Sequence, residues 1–188
     1  MRLETERLVL RQQERKDIPS LLENINNLKV SQNLAVVAFP YTLKDAEGWF
    51  NHCSELAKET RPKGIEFVIE LKPEKKAIGA IGLSHIDYDL KACSFGYWLG
   101  ENYWRQGIMS EALKAVLKFY FEELKMNRIA AGAFVENPPS AKLLEKLGFV
   151  NEGLQRQAIG CKATGKMHDE FIYAMLKADY LKAKKFWK

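Results

Sequence analysis

Residues 92–136 read ACSFGYWLGENYWRQGIMSEALKAVLKFYFEELKMNRIAAGAFVE, and this stretch decides the fold. Apolar residues recur every three or four positions from Ile108 to Lys125, which predicts a long amphipathic helix. Strand-like runs flank the helix, Ala92 to Leu99 before it and Ile129 to Val135 after it. Because the second run is apolar throughout, it fits a strand buried on both faces. Strand, helix and strand form a βαβ unit, for which we expect a right-handed crossover.

The segments on either side of this unit predict further strands and helices. We expect strands over residues 3–11, 65–71, 77–86, 149–158 and 168–176, and helices over residues 17–28, 42–60 and 138–147. Thr42 is the expected N-cap of the helix that follows it, and Gly148 is expected to end the last helix. The pattern as a whole predicts a mixed α/β sheet with helices on its faces.

The composition restricts the class of protein. A chain of 188 residues with 47% apolar residues and scattered glycine and proline fits one globular domain and excludes collagen-like or disordered chains. The longest nearly uncharged stretch, residues 129–135, is too short to cross a membrane. Acidic residues stand near the N-terminus where a signal peptide would be apolar, so we expect a cytoplasmic protein. Cys53, Cys93 and Cys161 lie far apart, which predicts reduced thiols and no metal site.

The formal net charge of +5 belongs mainly to the C-terminal end. Residues 1–94 hold 14 basic and 14 acidic side chains, whereas residues 95–188 hold 15 and 10. Four of the basic residues, Lys182, Lys184, Lys185 and Lys188, lie within the last seven positions. We interpret residues 180–188 as a short basic tail, a solvated and frayed helix end. No RNA- or DNA-binding motif accompanies it, so we expect no direct binding of nucleic acid.

The loop from Trp104 to Ser110, before the long helix, is the first candidate for a ligand site. The start of a helix leaves backbone N–H groups unpaired at the positive end of the helix dipole, which suits phosphate oxygens. Gly107 would allow a close approach, and Arg105 adds a positive charge. The loop matches neither a Walker motif nor a G-x-G-x-x-G motif. Because a glycine before a helix is also ordinary chain geometry, the loop alone leaves both interpretations open.

Several segments together resemble the GCN5-related N-acetyltransferases (GNAT). They are TERLVLR at residues 5–11, GYWL at 96–99, WRQGIMSEA at 104–112, ENPPS at 136–140 and LLEKLGF at 143–149. More narrowly, they are similar to the RimJ/RimL-type branch, which acetylates the N-termini of ribosomal proteins. The resemblance implies the GNAT fold, a mixed and mostly antiparallel sheet of about seven strands with a central parallel pair and helices on both faces. It also implies a single N-acetyltransferase domain over residues 1–188, with acetyl-CoA as co-substrate.

The resemblance also implies which residues bind acetyl-CoA. The family's pyrophosphate loop corresponds to Arg105, Gln106, Gly107, Ile108, Met109 and Ser110. Trp98 and Leu99 would contact the pantetheine arm in a gap between two splayed strands, and Asn137 would hydrogen-bond that arm. The loop departs from the family pattern at Trp104, where Gln or Arg is usual, and at Met109. The bulk of Met109 could change how closely the helix approaches the phosphates.

The family transfers its acetyl group directly to a neutral amine, which requires orientation, an oxyanion donor and a path for protons. The resemblance implies the N–H of Leu99 as the oxyanion donor. Leu144 stands where many family members have a Tyr that acts as the acid. The RimJ/RimL-type branch has a Ser in that role at the position of Ser140, so the resemblance implies that Ser140 protonates the leaving thiolate. Ser140 could equally be an ordinary helix cap. Ser94 replaces the usual glutamate base, and the remaining candidates for a base are His85, Glu136, Glu152, Asp169 and Glu170.

The acceptor is expected to be a primary amine. An α-amine is roughly a quarter to a third neutral at cytoplasmic pH, whereas a lysine amine is only ~0.1% neutral. A site without a clear base therefore favours an α-amine of a protein such as a ribosomal protein, or a small amine. The missing Tyr and Glu leave one alternative open, a non-catalytic acyl-CoA sensor or a module that docks on the ribosome or RNA. A homodimer is also compatible with the terminal strand and the exposed aromatic residues.

Overall fold

The computed structural model describes residues 1–187 and contains an eight-stranded sheet. The strands are β1 (Arg2–Glu4), β2 (Leu8–Arg11), β3 (Gly64–Leu71), β4 (Lys76–Asp87), β5 (Ala92–Leu99), β6 (Arg128–Phe134), β7 (Val150–Cys161) and β8 (Lys166–Leu176). The helices are α1 (Ile18–Ile25), α2 (Leu28–Ser31), α3 (Leu43–Leu56), α4 (Ile108–Lys118), α5 (Pro138–Leu147) and α6 (Lys177–Ala183). None of these helices is long and apolar enough to cross a membrane.

The strand order is β1-β2-β3-β4-β5-β6-β8-β7. Within residues 1–187 each neighbouring pair is antiparallel except β5 and β6, which lie parallel at the centre. The predicted mixed α/β sheet with a central parallel pair is confirmed. The predicted number of about seven strands is one too low. A turn at residues 5–7 divides the first expected strand into β1 and β2, which pair with each other, Leu3 opposite Leu10.

Helices cover both faces of the sheet, and the cluster of buried apolar residues is much larger on one face than on the other. The main core lies on the face of α4, α5 and α6, where the apolar stripe of α4 is at most 8% exposed. Each large side chain in that stripe contributes about 1.5–3 kcal/mol by its burial. α1 packs on the opposite face, where Leu21 contacts Val68 and Ala77. α3 lies against α1 and β3, and Thr42 caps it as predicted. The first expected helix is divided by Asn27, which caps the short α2.

The helix predicted to run from Ile108 to Lys125 is interrupted. The α-helical part ends at Lys118, and a turn of π-helix continues over Phe119–Glu123. Three consecutive aromatic residues in this turn, Phe119, Tyr120 and Phe121, are all at most 4% exposed. All three belong to the main core of the sheet.

The interpretation of residues 180–188 as a frayed tail is wrong for the residues that the structure describes. α6 continues into a 3₁₀ turn at Lys184–Phe186. Tyr180 is 2% exposed and stacks on Phe121, with 4.8 Å between the ring centroids. Lys184 donates to a carboxyl oxygen of Glu122 at 2.8 Å. The terminal helix is held by the burial of Tyr180 and by the contact of Lys184 with Glu122, while Lys182, Lys184 and Lys185 remain exposed. Lys188 lies outside the described residues.

Gly79 lies opposite Leu99 where β4 and β5 end, and it offers a test of this packing. A Cβ at Gly79 would overlap the carbonyl oxygen of Trp98 and lie 3.0 Å from Cα of Leu99. We expect Gly79→Ala to lower the free energy of unfolding by about 1–3 kcal/mol, measured by urea denaturation. The matched control is Gly48→Ala in α3, where no atom lies within 4 Å of the added carbon. It should raise the stability by up to about 1 kcal/mol. Equal effects of the two changes would contradict this packing.

Candidate functional site

The parallel strands β5 and β6 pair over only three residues. Residues 92–94 of β5 lie opposite residues 128–130 of β6, and the pairing stops there. Both strands continue, however, β5 along β4 as far as Leu99 and β6 along β8 as far as Phe134. The two strands therefore diverge, and a gap opens in the middle of the sheet.

Backbone groups from both strands face this gap. Beyond the end of β5, the N–H of Gly100 donates to the carbonyl of Ile78 on the β4 side at 2.9 Å. Because hydrogen-bonding direction alternates along an antiparallel pair, the N–H groups of Tyr97 and Leu99 point away from β4 and into the gap. The same alternation applies along β6. The N–H of Lys177 donates to the carbonyl of Asn127, so odd-numbered residues bond toward β8 and the backbone of Gly132 faces the gap. The gap is thus lined by backbone groups that no strand of the described chain pairs.

The gap ends at the loop between β5 and α4. Trp104 fixes this loop to the strand, since its Nε1 donates to the carbonyl of Leu99 at 2.7 Å. Arg105 and Gly107 are both left-handed, with φ of 59° and 76°. Two such residues on either side of Gln106 turn the chain sharply and gather the N–H groups at the start of α4 on one side, a geometry that suits anions.

The side chains of this loop divide into two groups. Ile108 and Met109 are 2% and 8% exposed and belong to the main core, so they offer the loop only their N–H groups. The bulk of Met109 therefore does not limit the approach of a ligand, contrary to the expectation from the sequence. Arg105 and Gln106 are exposed, and Ser110 is half-buried.

The N-terminal turn holds this loop in place. The carboxylate of Glu111, in the first turn of α4, accepts hydrogen bonds from the Thr5 hydroxyl at 2.5 Å and from Nε of Arg7 at 2.7 Å. Arg7 also donates through Nη1 to the carbonyl of Gln106 at 3.0 Å. Burial opposes the charge on Glu111, but these bonds keep its pKa below the ordinary value. In the sequence, Thr5 and Arg7 stood out only as part of a resemblance, and their contact with Glu111, 104 to 106 positions away, was not predicted.

An open pocket of about 680 Å³ extends from Gly107 and Ser110 along α4 toward the C-terminal helix. Its basic lining residues are Arg7, Lys114, Lys118, Lys146 and Lys184. Two of its acidic residues are already engaged by cations, Glu111 by Arg7 and Glu122 by Lys184. With five basic and four acidic lining residues, the pocket has a formal net charge of +1 beside the loop.

Ser140 lies across the gap from β5. Its hydroxyl is 2.8 Å from the hydroxyl of Tyr97. Asn137 is the N-cap of α5 and accepts from the N–H of Ser140 at 3.4 Å, so the alternative in which Ser140 caps the helix is wrong. Burial raises the pKa of Tyr97 to about 12, although its hydrogen bond with Ser140 lowers it. Tyr97 therefore stays protonated near neutral pH and forms a hydroxyl pair with Ser140.

The structure places Trp98 differently from its two neighbours. Its side chain packs against the cluster of Leu21, Val68 and Ala77 on the α1 face. The N–H of Trp98 points toward β4. Trp98 is opposite Ala80, two residues from the hydrogen-bonded pair of Gly100 and Ile78, so it bonds in the same direction as Gly100. The backbone N–H groups that face the gap are therefore those of Tyr97 and Leu99, and not that of Trp98. The alternation of residues along β5 would have predicted this from the sequence.

Three of the expected base candidates are engaged or lie on the surface. His85 is exposed, with a φ of 52°, at an irregularity near the far end of β4. Glu152 forms an ion pair with Arg128 at 2.6 Å. Asp169 accepts from the N–H of Gln157 at 2.8 Å.

The other two candidates lie nearer the gap. Glu136 contacts Nδ1 of His168 at 3.2 Å, and the His168 ring stacks on Phe134. Glu170 is half-buried on β8, and burial raises its pKa. Glu170 is therefore the candidate from the sequence whose carboxyl group has an unusual environment.

Known proteins resemble this chain in sequence and in structure. Residues 7–150 match the family model of the acetyltransferase (GNAT) domain. The chain is similar to the N-acetyltransferase p20 of Bacillus licheniformis, with 33% identity over 178 residues that cover 95% of this chain and 97% of that protein. It is also similar to the [ribosomal protein uS5]-alanine N-acetyltransferase of Escherichia coli, with 28% identity over 187 residues, 96% of this chain and 93% of that one. The crystal structure of an acetyltransferase (GNAT family) from Bacillus anthracis superposes with a TM-score of 0.79 at 29% identity, covering 95% and 99% of the two chains.

The contact between the N-terminal turn and the loop can be tested by hydrogen exchange. Arg7→Met removes the bonds from the guanidinium to Glu111 and Gln106, which together stabilise the start of α4 by about 1–2 kcal/mol. We expect the amide hydrogens of the first hydrogen-bonded turn, beginning at Glu111, to exchange about 10-fold faster. The control is Arg2→Met, which removes an exposed ion pair with Glu4. Unchanged exchange in Arg7→Met would show that Arg7 does not hold the loop.

Proposed function

The chain belongs to the acetyltransferase (GNAT) domain family, and from this premise we propose that it transfers the acetyl group of acetyl-CoA directly to a primary amine of a protein N-terminus or a small molecule. The observation that carries the proposal is the gap between β5 and β6. It has unpaired backbone groups along its sides, an anion-binding loop at one end and a hydroxyl pair on its border. A thioester with a long amide-containing arm and a pyrophosphate matches these three parts.

The residues around the gap fit such a donor. The N–H groups from Arg105 to Ser110 would hold the pyrophosphate, and the basic pocket beyond Gly107 would take the nucleotide end. The unpaired backbone groups along both sides of the gap would pair with the amides of the arm. The side-chain NH₂ of Asn137 would be a further donor, since its carbonyl oxygen already caps α5.

The chemistry requires a group that stabilises negative charge and a group that protonates sulfur. When bound, acetyl-CoA supplies the acetyl group as a thioester, which the amine nitrogen attacks. The N–H of Leu99 points into the gap and would stabilise the charge that develops on the carbonyl oxygen. Ser140 would donate a proton to the leaving thiolate. Tyr97, hydrogen-bonded to Ser140 and protonated at neutral pH, would restore that proton and so acts as a positioning and relay residue.

The α-amine of a protein is our first choice of acceptor. An α-amine has a pKa of about 7.7–8.0, so it reaches the neutral, reactive form more easily than a lysine amine with a pKa of about 10.4. The similarity to an acetyltransferase of a ribosomal protein over nearly the whole chain supports this choice. Small amines are the second choice, because the loops that select an acceptor vary among proteins that share a fold.

An acceptor panel tests the proposed function. The purified protein is mixed with acetyl-CoA and, in separate reactions, with short peptides that have a free N-terminus, with N-acetylated peptides that contain one lysine, and with polyamines. Release of the CoA thiol is followed. We expect turnover with at least one amine, fastest with free N-termini. Measurable binding of acetyl-CoA with no turnover on any amine would contradict catalysis and favour a non-catalytic binding protein.

The hydroxyl pair predicts a specific pattern of kinetic defects. Ser140→Ala should lower kcat about 100-fold with little change in the KM for acetyl-CoA, because the proton donor is lost and the binding groups remain. Tyr97→Phe should lower kcat about 10-fold, since Ser140 can then recover its proton only from water. The matched control, Tyr88→Phe, removes a hydroxyl that binds the carbonyl of Pro62 and should keep the original kcat. If Ser140→Ala retains full kcat, the assignment of the acid is wrong.

A further inference from the structure

Three glycines lie side by side on the α1 face of the sheet, at its centre. Gly82 on β4 is directly opposite Gly96 on β5. Ala130 on β6 is opposite Ser94 on β5, and the two strands run parallel. Gly132 and Gly96 each lie two residues further along their strands. Gly96 and Gly132 are exposed to solvent although both are inside strands. We call the open space above Gly82, Gly96 and Gly132 the glycine trough.

Two carboxyl groups border the glycine trough. A methyl group at Gly82 would overlap both carboxyl oxygens of Glu66, which extends from β3. A methyl group at Gly132 would overlap the carboxyl group of Glu170 from β8. At Gly96, between them, no atom lies within 4 Å of an added Cβ. The two acids therefore lie over the outer glycines, and the space above the middle one is open.

Neither carboxyl group has a hydrogen-bond or ion-pair partner within residues 1–187. Glu66 and Glu170 are both half-buried, and burial raises the pKa of Glu66 to about 8 and also raises that of Glu170. The titratable neighbour of Glu66 is Cys53 on α3, whose pKa is raised to about 12 by burial and by the charge of Glu66, so this thiol is neutral. A carboxylate that is partly shielded from water and has no partner is costly to ionise. A positively charged ligand in the trough would supply the missing partner.

The trough is on the side from which an acceptor would approach. The side chains of Ile108, Met109 and Leu144 belong to the core on the other face of the sheet, so α4 and α5, which would hold the donor, lie there. The gap between β5 and β6 is the opening that joins the two faces. The trough opens into the gap beside Gly96 and Gly132, on the face opposite the donor.

We propose that the glycine trough binds the ammonium group of the acceptor between Glu66 and Glu170, and that Glu66 is the base that takes its proton. This role for the trough rests on the proposed function, and it specifies which class of amine the protein accepts. Two acids on either side of the reactive nitrogen repel a carboxylate beside it. The trough therefore accepts amines without an adjacent carboxylate, such as protein N-termini or polyamines, and rejects free amino acids.

The proton transfers balance in this arrangement. The ammonium nitrogen first gives one proton to a carboxyl oxygen of Glu66, which passes it to water. The nitrogen then forms its bond to the acetyl carbon as the carbon–sulfur bond breaks. The sulfur takes up a proton from Ser140, and the second proton lost by the nitrogen restores that donor through Tyr97 and water. The products are an amide and a thiol, with one proton released to solvent per turnover.

Kinetics with paired acceptors form the first part of the test. Serine has a carboxylate beside the α-amine where serinamide has an amide. Because that carboxylate also raises the pKa of the amine, the two acceptors are compared by kcat/KM calculated on the concentration of neutral amine. We expect kcat/KM for serinamide to exceed that for serine by at least about 10-fold, and Glu66→Gln to lower kcat about 100-fold while the KM for acetyl-CoA stays constant. Equal use of serine and serinamide, or an unchanged kcat in Glu66→Gln, would overturn the proposal even if the protein is an active acetyltransferase.

A filled trough gives an independent variant. Gly96→Val places a side chain in open space without backbone strain, because a β-branched residue suits a strand. It should raise the KM for serinamide at least about 10-fold and leave the dissociation constant of CoA within about 2-fold, measured by calorimetry. The matched control is Gly160→Val on the edge strand β7, where the nearest atom to an added Cβ is the Met167 sulfur at 3.5 Å. If Gly96→Val and Gly160→Val bind serinamide equally, the trough is not the acceptor site.

A binding measurement separates this proposal from the proposed function. In protein labelled with ¹³C at the glutamate carboxyl carbons, the Glu66 signal is the one absent from Glu66→Gln, and its titration midpoint is expected near pH 8. Adding 1,4-diaminobutane to the CoA-bound protein should lower this midpoint by at least about one pH unit, because an ammonium ion stabilises the carboxylate. This shift without turnover of any amine would support the trough and contradict catalysis. If the midpoint of Glu66 does not change when about 50 mM 1,4-diaminobutane is present, the proposal is overturned.

Discussion

The whole site depends on one interruption of hydrogen bonding, the end of pairing between β5 and β6 after Ser94 and Ala130. Backbone groups inside a sheet are nearly always paired, and each unpaired one costs about 1–3 kcal/mol when buried. Here each strand keeps its outer partner, β4 or β8, so the sheet remains intact while Tyr97, Leu99 and Gly132 face an opening. A ligand with amide and carbonyl groups of its own can supply the bonds that the sheet lacks.

The remaining contacts hold the edges of that opening. Trp104 fixes the start of the loop to Leu99, and Thr5 and Arg7 fix the first turn of α4 through Glu111. The main core under α4 keeps the helix against the sheet, and the docked C-terminal helix covers the π-helical turn that follows it. The elements nearest the chemistry are thus positioned by segments from both ends of the chain.

The local periodicity of the sequence predicted most of the strands and helices around the gap. The bounds of β5 and α5 agree with the structure, and the loop with Gly107 lies where the helix start was expected. Pairing between distant segments was not predictable in the same way. The contact of Arg7 with Glu111, the π-helical turn and the docking of Tyr180 all depend on tertiary packing. Glu66 escaped notice because a single acid in a strand looks like a solvent-facing residue. Only the register of β3 and β4 shows that Gly82 leaves room for it.

Amide hydrogen exchange of β5, followed residue by residue by NMR with and without acetyl-CoA, tests the central claim most directly. If the donor lies in the gap between β5 and β6, exchange at Tyr97 and Leu99 should slow at least about 10-fold when acetyl-CoA is added, since their N–H groups gain partners. Trp98 between them, whose N–H points to β4, should change little. Equal protection of Tyr97, Trp98 and Leu99, or none at Leu99, would contradict the claim that this interruption in the sheet holds the donor.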